Sequence, residues 1–154
     1  MYLISSCLCG VNCKYSGSNN LNEQCLKLFK EGKAILVCPE QLGGLSTPRR
    51  PAEIKGTAKG VIKNVDKVFT KDNIDVTKEF LKGAYETLYI AKLSNVNKAI
   101  LKEGSPSCGV NYIYDGSFTS KKIEGKGITA TILKENGIEI ISELDLGGEK
   151  NGDF

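Results

Sequence analysis

Histidine is absent from this sequence of 154 residues. Without an imidazole, the chain cannot form a Ser-His or Cys-His nucleophile pair, and it cannot form a zinc site with mixed cysteine and histidine ligands. Any chemistry at an active site must therefore use thiolates, carboxylates, hydroxyls, lysine or a bound cofactor. This absence directs attention to the six cysteines.

Long apolar runs and clusters of one charge are also missing. No apolar segment approaches the ~20 residues of a membrane span. The net charge is only +3, with the lysines scattered along the chain, so the sequence shows no basic footprint for nucleic-acid binding. Residues 1–6 have no basic leader and turn polar too early for a signal peptide. We expect a cytoplasmic protein whose partner is neither a membrane nor a nucleic acid.

The length and composition fit one domain with a substantial core. Apolar residues make up 40% of the chain and charged residues 25%, and a chain of about 150 residues buries roughly 68–70% of its unfolded surface. The sequence contains no internal repeat and no linker. We predict a single α/β domain over residues 1–146 and a polar tail over 147–154.

Apolar segments alternate with helical patterns along the chain. Short apolar strands are predicted at 2–6, 34–37, 98–102 and 138–142. A β-hairpin is predicted within 58–76, with Val61 and Ile62 in a strand, and 112–118 is predicted as an exposed turn or loop. Because crossovers between parallel strands are right-handed, this order indicates a three-layer, Rossmann-like α/β fold. Its sheet is mostly parallel, with the small β-hairpin as an excursion.

Three of the cysteines lie at the exits of predicted strands, namely Cys7, Cys38 and Cys108. The carboxyl ends of parallel strands share one edge of the sheet, and ligands bind in the crevice outside that edge. The three thiols are therefore predicted to lie at a common site. Cys25, by contrast, falls on the apolar face of a helix and is predicted to fill the core.

Several kinds of site use thiols. Cysteines in a reducing compartment rarely form a disulfide framework, no C-x-x-C dithiol is present, and the wide separation of these cysteines argues against structural zinc. An iron–sulfur cluster accepts thiolates from separate loops. Three cysteine ligands would leave one iron open for catalysis. Four ligands, with Cys9 or Cys13 added, would give a closed site suited to electron transfer.

Separate motifs, in order, resemble those of a bacterial family. They are S-C-L-C-G-V-N-C-K-Y-S-G at 6–17, C-P-E-x-x-G-G-L-x-x-P-R at 38–49, S-P-S-C-G at 105–109 and G-x-G-I-T-A at 125–130. By these motifs the chain is identified as a member of the iron–sulfur thiouracil desulfidase family, long catalogued as a domain of unknown function. The resemblance covers nearly the whole chain, in the stand-alone form of that domain.

The resemblance implies a [4Fe–4S] cluster held by three cysteines, whose open iron takes the sulfur of a thiolated pyrimidine such as 2-thiouracil. Water replaces the sulfur, which gives the oxo-base and sulfide. Carried over motif by motif, the ligands are Cys7, Cys38 and Cys108. Cys13 is the alternative ligand, because it also matches a family cysteine.

Polar residues in the same motifs are candidates for catalysis and substrate binding. Glu40 is the candidate general acid/base, because attack of water on the thiolated carbon needs proton transfer. Its structural alternative is a loop carboxylate paired with Arg49. Ser105 and Ser107 either hydrogen-bond the substrate or shape the turn. Arg49 is predicted to bind substrate through its guanidinium, with a solvated turn residue as the alternative. Ser16 is also predicted to bind substrate, although it replaces a family aspartate and supplies no charge.

The leading interpretation is thus an iron–sulfur enzyme that removes sulfur from a small thiolated base. The alternative is a non-catalytic iron–sulfur or metal-binding module that senses or carries iron, sulfur or electrons. Only the first interpretation predicts that the protein converts a thiolated base. Release of sulfide from 2-thiouracil supports the enzyme, and a loaded cluster without turnover supports the module.

Overall fold

A computed structural model describes residues 1–148 of the chain. Its strands are β1 (Tyr2–Ser5), β2 (Ala34–Val37), β3 (Ala52–Lys55), β4 (Lys67–Thr70), β5 (Lys98–Leu101), β6 (Tyr112–Tyr114), β7 (Lys122–Glu124) and β8 (Glu139–Ser142). Its α-helices are α1 (Glu23–Lys30), α2 (Pro39–Leu42), α3 (Ala58–Ile62), α4 (Thr77–Leu93) and α5 (Ile128–Glu135). Of the tail predicted at 147–154, residues 149–154 lie outside the described residues. No helix within residues 1–148 has the length and apolar character needed to span a membrane.

The central sheet contains four strands in the order β2-β1-β5-β8, and every neighbouring pair is parallel. Tyr2 is aligned with Ala34 on one side and with Lys98 on the other, so β1, β2 and β5 run in register. Helices flank this sheet and two antiparallel pairs, β3-β4 and β6-β7, lie beside it. The prediction of an α/β fold with a mostly parallel sheet and a small antiparallel excursion is confirmed.

The core has two parts because successive strand residues point to opposite faces of the sheet. Leu3 packs in the larger part, with α4 and α5, whereas its neighbour Ile4 packs in the smaller part, with Ile100. Cys25 and Leu28 of α1 complete the smaller part. Cys25 is fully buried, which confirms its predicted role as a core residue.

The hairpin predicted within residues 58–76 differs from the structure in one of its two strands. Val61 and Ile62 lie in α3, not in a strand. This helix forms because the Thr57 hydroxyl caps it by accepting the Gly60 N–H at 2.9 Å, and because Val61 is completely buried. The antiparallel partner of β4 is therefore β3, which precedes the predicted segment.

The segment predicted as an exposed turn or loop at 112–118 is also different. It begins with β6, which pairs with β7, and its central residue Ile113 is buried. Alternation of Ile113 with the half-buried Tyr112 and Tyr114 is the pattern of a strand with one buried face. The residues at 115–121 form the tip of this hairpin, which is called the hairpin tip below.

Two glycines allow α2 to lie directly against α4. A Cβ at Gly43 would lie well under 3.0 Å from the backbone of Glu79, and a Cβ at Gly83 would lie equally close to the backbone of Pro39. No neighbouring side chain can move to make room, because the contacts are with main-chain atoms. This close approach fixes α2, which begins immediately after Cys38.

A buried carboxylate organises the loop after β5. Glu103 is only 2% exposed, and its Oε1 accepts the N–H groups of Val110 at 2.8 Å, Asn111 at 2.8 Å and Tyr112 at 3.2 Å. Its Oε2 accepts the Asn111 side-chain amide at 2.7 Å. Burial acts to raise the pKa of the Glu103 carboxyl, but these hydrogen bonds outweigh it and hold the pKa below its usual value. The carboxylate thus closes the loop that carries Cys108.

Gly83→Ala tests the close approach of the two helices. Alanine ordinarily favours a helix interior by about 1 kcal/mol over glycine, but here the added methyl meets backbone and we expect a net destabilisation of about 1–3 kcal/mol. Urea denaturation measures the effect. The matched control is Glu86→Ala, at an exposed position of the same helix, which should stay within about 0.5 kcal/mol of wild type. Equal stability of the two variants would contradict the packing described.

Glu103→Gln tests the buried carboxylate. The amide keeps one acceptor but places an N–H₂ group against the Asn111 amide, so we expect a loss of about 1–3 kcal/mol at neutral pH. Because the folded pKa of Glu103 is lowered, its contribution is present above the ordinary value of 4.5 and is lost as the pH falls through the folded pKa. The stability gap between wild type and variant, followed by urea denaturation, should therefore narrow on acidification. A gap that is constant or widens on acidification would show that the carboxylate is not stabilised in this way.

Candidate functional site

Four cysteines reach one cavity at the carboxyl edge of the parallel sheet. Cys7 lies in the 3-10 turn Ser6–Cys9, which directly follows β1, and Cys13 lies in the loop beyond it. Cys38 is the N-cap residue of α2 and directly follows β2, and Cys108 lies in the loop after β5. All four border a cavity of about 560 Å³. The structure therefore brings together the three predicted ligands and the alternative ligand.

Local sequence explains how two of these loops place their thiols. The 3-10 turn ends at Gly10, whose φ of 90° is a left-handed conformation that favours glycine. Pro39 occupies the first position of α2, where its fixed φ suits a helix start and its missing N–H costs nothing. Cys7 and Cys38 are thus held by turns that begin where the buried strands end.

Cys13 hydrogen-bonds to two of the other thiols. Its thiol contacts those of Cys7 and Cys38, and the Cys38 thiol also donates to the Cys13 carbonyl at 3.7 Å. Hydrogen bonding to Cys13 lowers the pKa of Cys7 and lowers the pKa of Cys38 to about 7. The same bonds, first to Cys38 and then to Cys7, raise the pKa of Cys13. Cys7 and Cys38 are therefore biased toward the thiolate, the form that binds metals.

Cys108 and Cys7 receive further support from polar neighbours. Burial raises the pKa of Cys108, although a hydrogen bond with Ser5 opposes that effect. The Asn20 side-chain amide donates to the Cys7 sulfur at 3.5 Å. The Lys102 ammonium, held by Glu143 at 3.1 Å, also borders the cavity and acts to lower the pKa of Cys7. A positive charge beside the thiols suits a site that binds an anionic thiolate centre.

The donor set fits an iron–sulfur cluster better than a single metal ion. Within residues 1–148, no group of three cysteine or acidic side chains is arranged to hold one ion. A four-iron cluster needs ligands that are farther apart, because the cluster itself fills the space between them. Thiols from three separate loops border one open cavity here, and thiolates from separate loops are ligands that such a cluster accepts.

Glu40 and Arg49 form a buried ion pair beside the thiols. The Arg49 Nε donates to Glu40 Oε2 at 2.8 Å, and both side chains are less than one-fifth exposed. The other guanidinium nitrogens donate to the Cys13 carbonyl at 2.9 Å, to the Ser46 carbonyl at 3.2 Å and to the Thr47 hydroxyl at 2.9 Å. Arg49 thus joins the loops after β1 and β2. Glu40 borders the cavity, and among the described residues no hydrogen bond is made to its second carboxylate oxygen.

The three candidate serines have different surroundings. Ser105 borders the cavity, and its Oγ accepts the N–H groups of Ser107 and Cys108, each at 3.1 Å. The Ser107 hydroxyl is buried against Thr129 at 2.7 Å and is not part of the cavity lining. Ser16 is exposed and is also outside the lining. Both Ser105 and Ser107 therefore shape the turn around Cys108, and only Ser105 reaches the cavity.

Other cavity residues were not identified from the sequence. They include Ser5, Asn20, Glu53, Lys102, Tyr112, Tyr114 and Phe118. Most of them reach the cavity through the pairing of β3 with β4 and of β6 with β7, which distant segments determine. The alternation around Ile113 was a signal for β6, but it does not by itself indicate which cavity the hairpin borders.

Comparison with known proteins agrees with the motifs. The model of the 2-thiouracil desulfurase family matches residues 2–145. The protein YbbK of Bacillus subtilis, itself uncharacterised, is 50% identical over 147 residues, which cover 95% of this chain and 97% of YbbK. A solved structure of the [4Fe-4S]-dependent thiouracil desulfidase TudS is 38% identical, with a TM-score of 0.85 over 96% of this chain and 93% of TudS. On this evidence, the chain belongs to the 2-thiouracil desulfurase family.

Proposed function

We propose that this protein is a [4Fe–4S]-dependent desulfidase that converts a thiolated pyrimidine, such as 2-thiouracil, to the oxo-base and sulfide. The observation that carries the proposal is that four thiols and the Glu40 carboxylate border a single cavity, in a chain that has no histidine. Membership of the desulfurase family and the likeness to TudS support it.

Cys7, Cys38 and Cys108 are the proposed ligands, with Cys13 as the alternative. The loops that carry the three proposed ligands each begin at the end of a strand of the central sheet, so all three thiols lie at its carboxyl edge. Cys13 comes from a longer loop and lies between Cys7 and Cys38 in hydrogen-bonding contact with both. When bound through three cysteines, the cluster supplies one iron without a protein ligand, which can act as a Lewis acid toward a soft sulfur atom.

The net reaction is a hydrolysis that needs no oxidant or reductant. The oxygen of water forms a new bond to the thiolated carbon, the carbon–sulfur bond breaks, and the two protons of water leave with the sulfur as hydrogen sulfide. The chain must therefore move protons near the reacting carbon. We propose that the free oxygen of Glu40 performs this proton transfer, while Arg49 holds its other oxygen in place.

Ser105 is proposed to orient the substrate. Its oxygen already accepts two backbone N–H groups, so its own proton is available to donate to a ring atom of the base. Because those backbone bonds fix the side chain beside Cys108, the donor direction is set before substrate binds. Ser107 contributes indirectly, through its bond to Thr129 behind the same loop.

Turnover by anaerobically purified protein tests the proposed function. We expect about four irons and four acid-labile sulfides per chain, release of sulfide from 2-thiouracil, and loss of the thione absorbance in step with that release. A fully loaded cluster with no turnover on any thiolated pyrimidine would instead support the non-catalytic module.

Cysteine variants provide the control for that experiment. Cys108→Ser should lose the cluster and all sulfide release while keeping the fold. Cys9→Ser is the matched control, because Cys9 lies in the same loop as Cys7 but outside the cavity lining, and it should retain both. Full iron and sulfide content in Cys108→Ser would refute the ligand assignment.

Glu40→Gln tests the proton-transfer role. The amide oxygen can still accept from Arg49, so the loop and the cluster content should be kept, while kcat falls by about 10²–10⁴. Steady-state sulfide release, with iron content measured on the same sample, gives the comparison. Glu86→Gln, on the exposed face of α4, should behave as wild type. If Glu40→Gln retains wild-type kcat with a full cluster, another group must move the proton.

A further inference from the structure

The hairpin tip closes one side of the cavity. Phe118 and Ser120 of the tip border the same space as the four thiols, together with Glu53 of the antiparallel β3. Neither β3 nor the hairpin belongs to the central sheet. The cavity is therefore built from two different parts of the fold, with the thiols supplied by the loops of the parallel sheet and an outer wall supplied by the two antiparallel pairs.

Glu53 holds the hairpin tip in position. Its Oε1 accepts the N–H of Gly116 at 2.9 Å and the N–H of Phe118 at 3.1 Å. Gly116 has a left-handed φ of 92°, and a Cβ there would lie 2.7 Å from the carbonyl oxygen of Ile54. The tip thus rests directly on the backbone of β3. One carboxylate oxygen and one glycine contact fix the backbone from Gly116 to Phe118.

Phe118 has an unfavourable backbone conformation. Its φ is 59°, in the left-handed region that large side chains rarely adopt. Such conformations persist where surrounding contacts enforce them, and they are common at ligand clamps. Here the enforcing contact is the bond from Phe118 N–H to Glu53. The left-handed turn places a large apolar ring at the cavity while its backbone remains tied to β3.

Two of the other aromatic residues that border the cavity contact each other. Tyr112 packs edge-on against Tyr114, with ring centroids 6.3 Å apart, and its face is covered by the Lys122 ammonium at 4.5 Å. Tyr15 is half exposed. Within residues 1–148, no ring or cation contact occupies Phe118. Among the described residues, Tyr15 and Phe118 are therefore the cavity residues whose rings meet no other ring or cation, and Phe118 is the less exposed of the two.

We propose that Phe118 is a substrate-binding residue on which the planar ring of the thiolated base stacks, and that Glu53 is the positioning residue that holds it there. The identity of the stacked ring rests on the proposed function. Stacking acts on the whole ring and is insensitive to which atom carries sulfur. Phe118 therefore contributes to affinity for substrate and product alike, and it takes no part in the bond-breaking step.

Phe118→Leu separates stacking from apolar bulk, because leucine fills the space without an aromatic face. We expect the KM for 2-thiouracil and the Kd for uracil, measured by calorimetry on the anaerobically prepared holoprotein, to rise by about tenfold, with kcat unchanged within about threefold. Phe118→Tyr should restore both constants. Tyr85→Leu is the matched control, because Tyr85 is an exposed ring on α4 outside the cavity lining. It should change neither constant.

Variants of Glu53 test its positioning role. Glu53→Gln keeps the oxygen that accepts both N–H groups and should bind as wild type, whereas Glu53→Ala should raise KM as Phe118→Leu does. Because the two residues act through one contact, the double variant should be no worse than either single variant. Fully additive effects of Glu53→Ala and Phe118→Leu would contradict the proposed link.

The outcomes separate this inference from the proposed function. Unchanged KM and Kd in Phe118→Leu, in a wild-type enzyme that releases sulfide, would overturn the stacking role and leave the desulfidase activity intact. Binding of uracil that depends on Phe118, in a protein that releases no sulfide, would support the stacking role and contradict the enzyme. Failure of the wild-type protein to bind uracil or 2-thiouracil would overturn the stacking role.

Discussion

The parallel strands β2, β1 and β5 end at the same edge of the sheet, and the placement of the thiols depends on that common end. Each strand is four residues long and lies in register with its neighbour. A residue that follows the strand therefore arrives at a position fixed by backbone hydrogen bonds. Cys38 occupies such a position, Cys7 lies one residue farther along, and Cys108 lies in the loop that begins where β5 ends. The site thus lies at the carboxyl edge of the parallel sheet, where the binding crevices of α/β folds occur.

The loops beyond the strands need further support, because no regular hydrogen-bond ladder holds them. Two buried charges supply it by local contacts. Arg49 joins the loops after β1 and β2 through Cys13 and Glu40, and Glu103 closes the loop around Cys108 through three backbone N–H groups. Each of these charges is paired or hydrogen-bonded, which is the condition for burying it at tolerable cost. The same contacts leave one oxygen of Glu40 available at the cavity.

The parts of this arrangement that could be predicted are those that depend on short-range pattern. Apolar strands followed by loops that carry a cysteine were sufficient to predict the sheet and its shared edge, and the motifs taken together in order indicated the family. The prediction of a strand at Val61 was wrong because the Thr57 cap and the complete burial of Val61 favour a helix there. A short apolar pattern shows neither of these contacts. Phe118 and Glu53 were missed because they are 65 positions apart in sequence and meet only where the β6-β7 hairpin packs on β3. The sequence could not separate the roles of Ser105 and Ser107 either, because the difference depends on Thr129, which bonds to Ser107 and lies 22 positions away.

The account rests most heavily on the claim that three strand-end thiols hold the cluster while Cys13 does not. A crystal structure of anaerobically prepared protein, with anomalous diffraction measured at the iron absorption edge, tests that claim directly. The account predicts four iron atoms inside the cavity, with bonds from Cys7, Cys38 and Cys108 and one iron without a protein ligand. A bond from Cys13 to iron, or iron density outside this cavity, would contradict it.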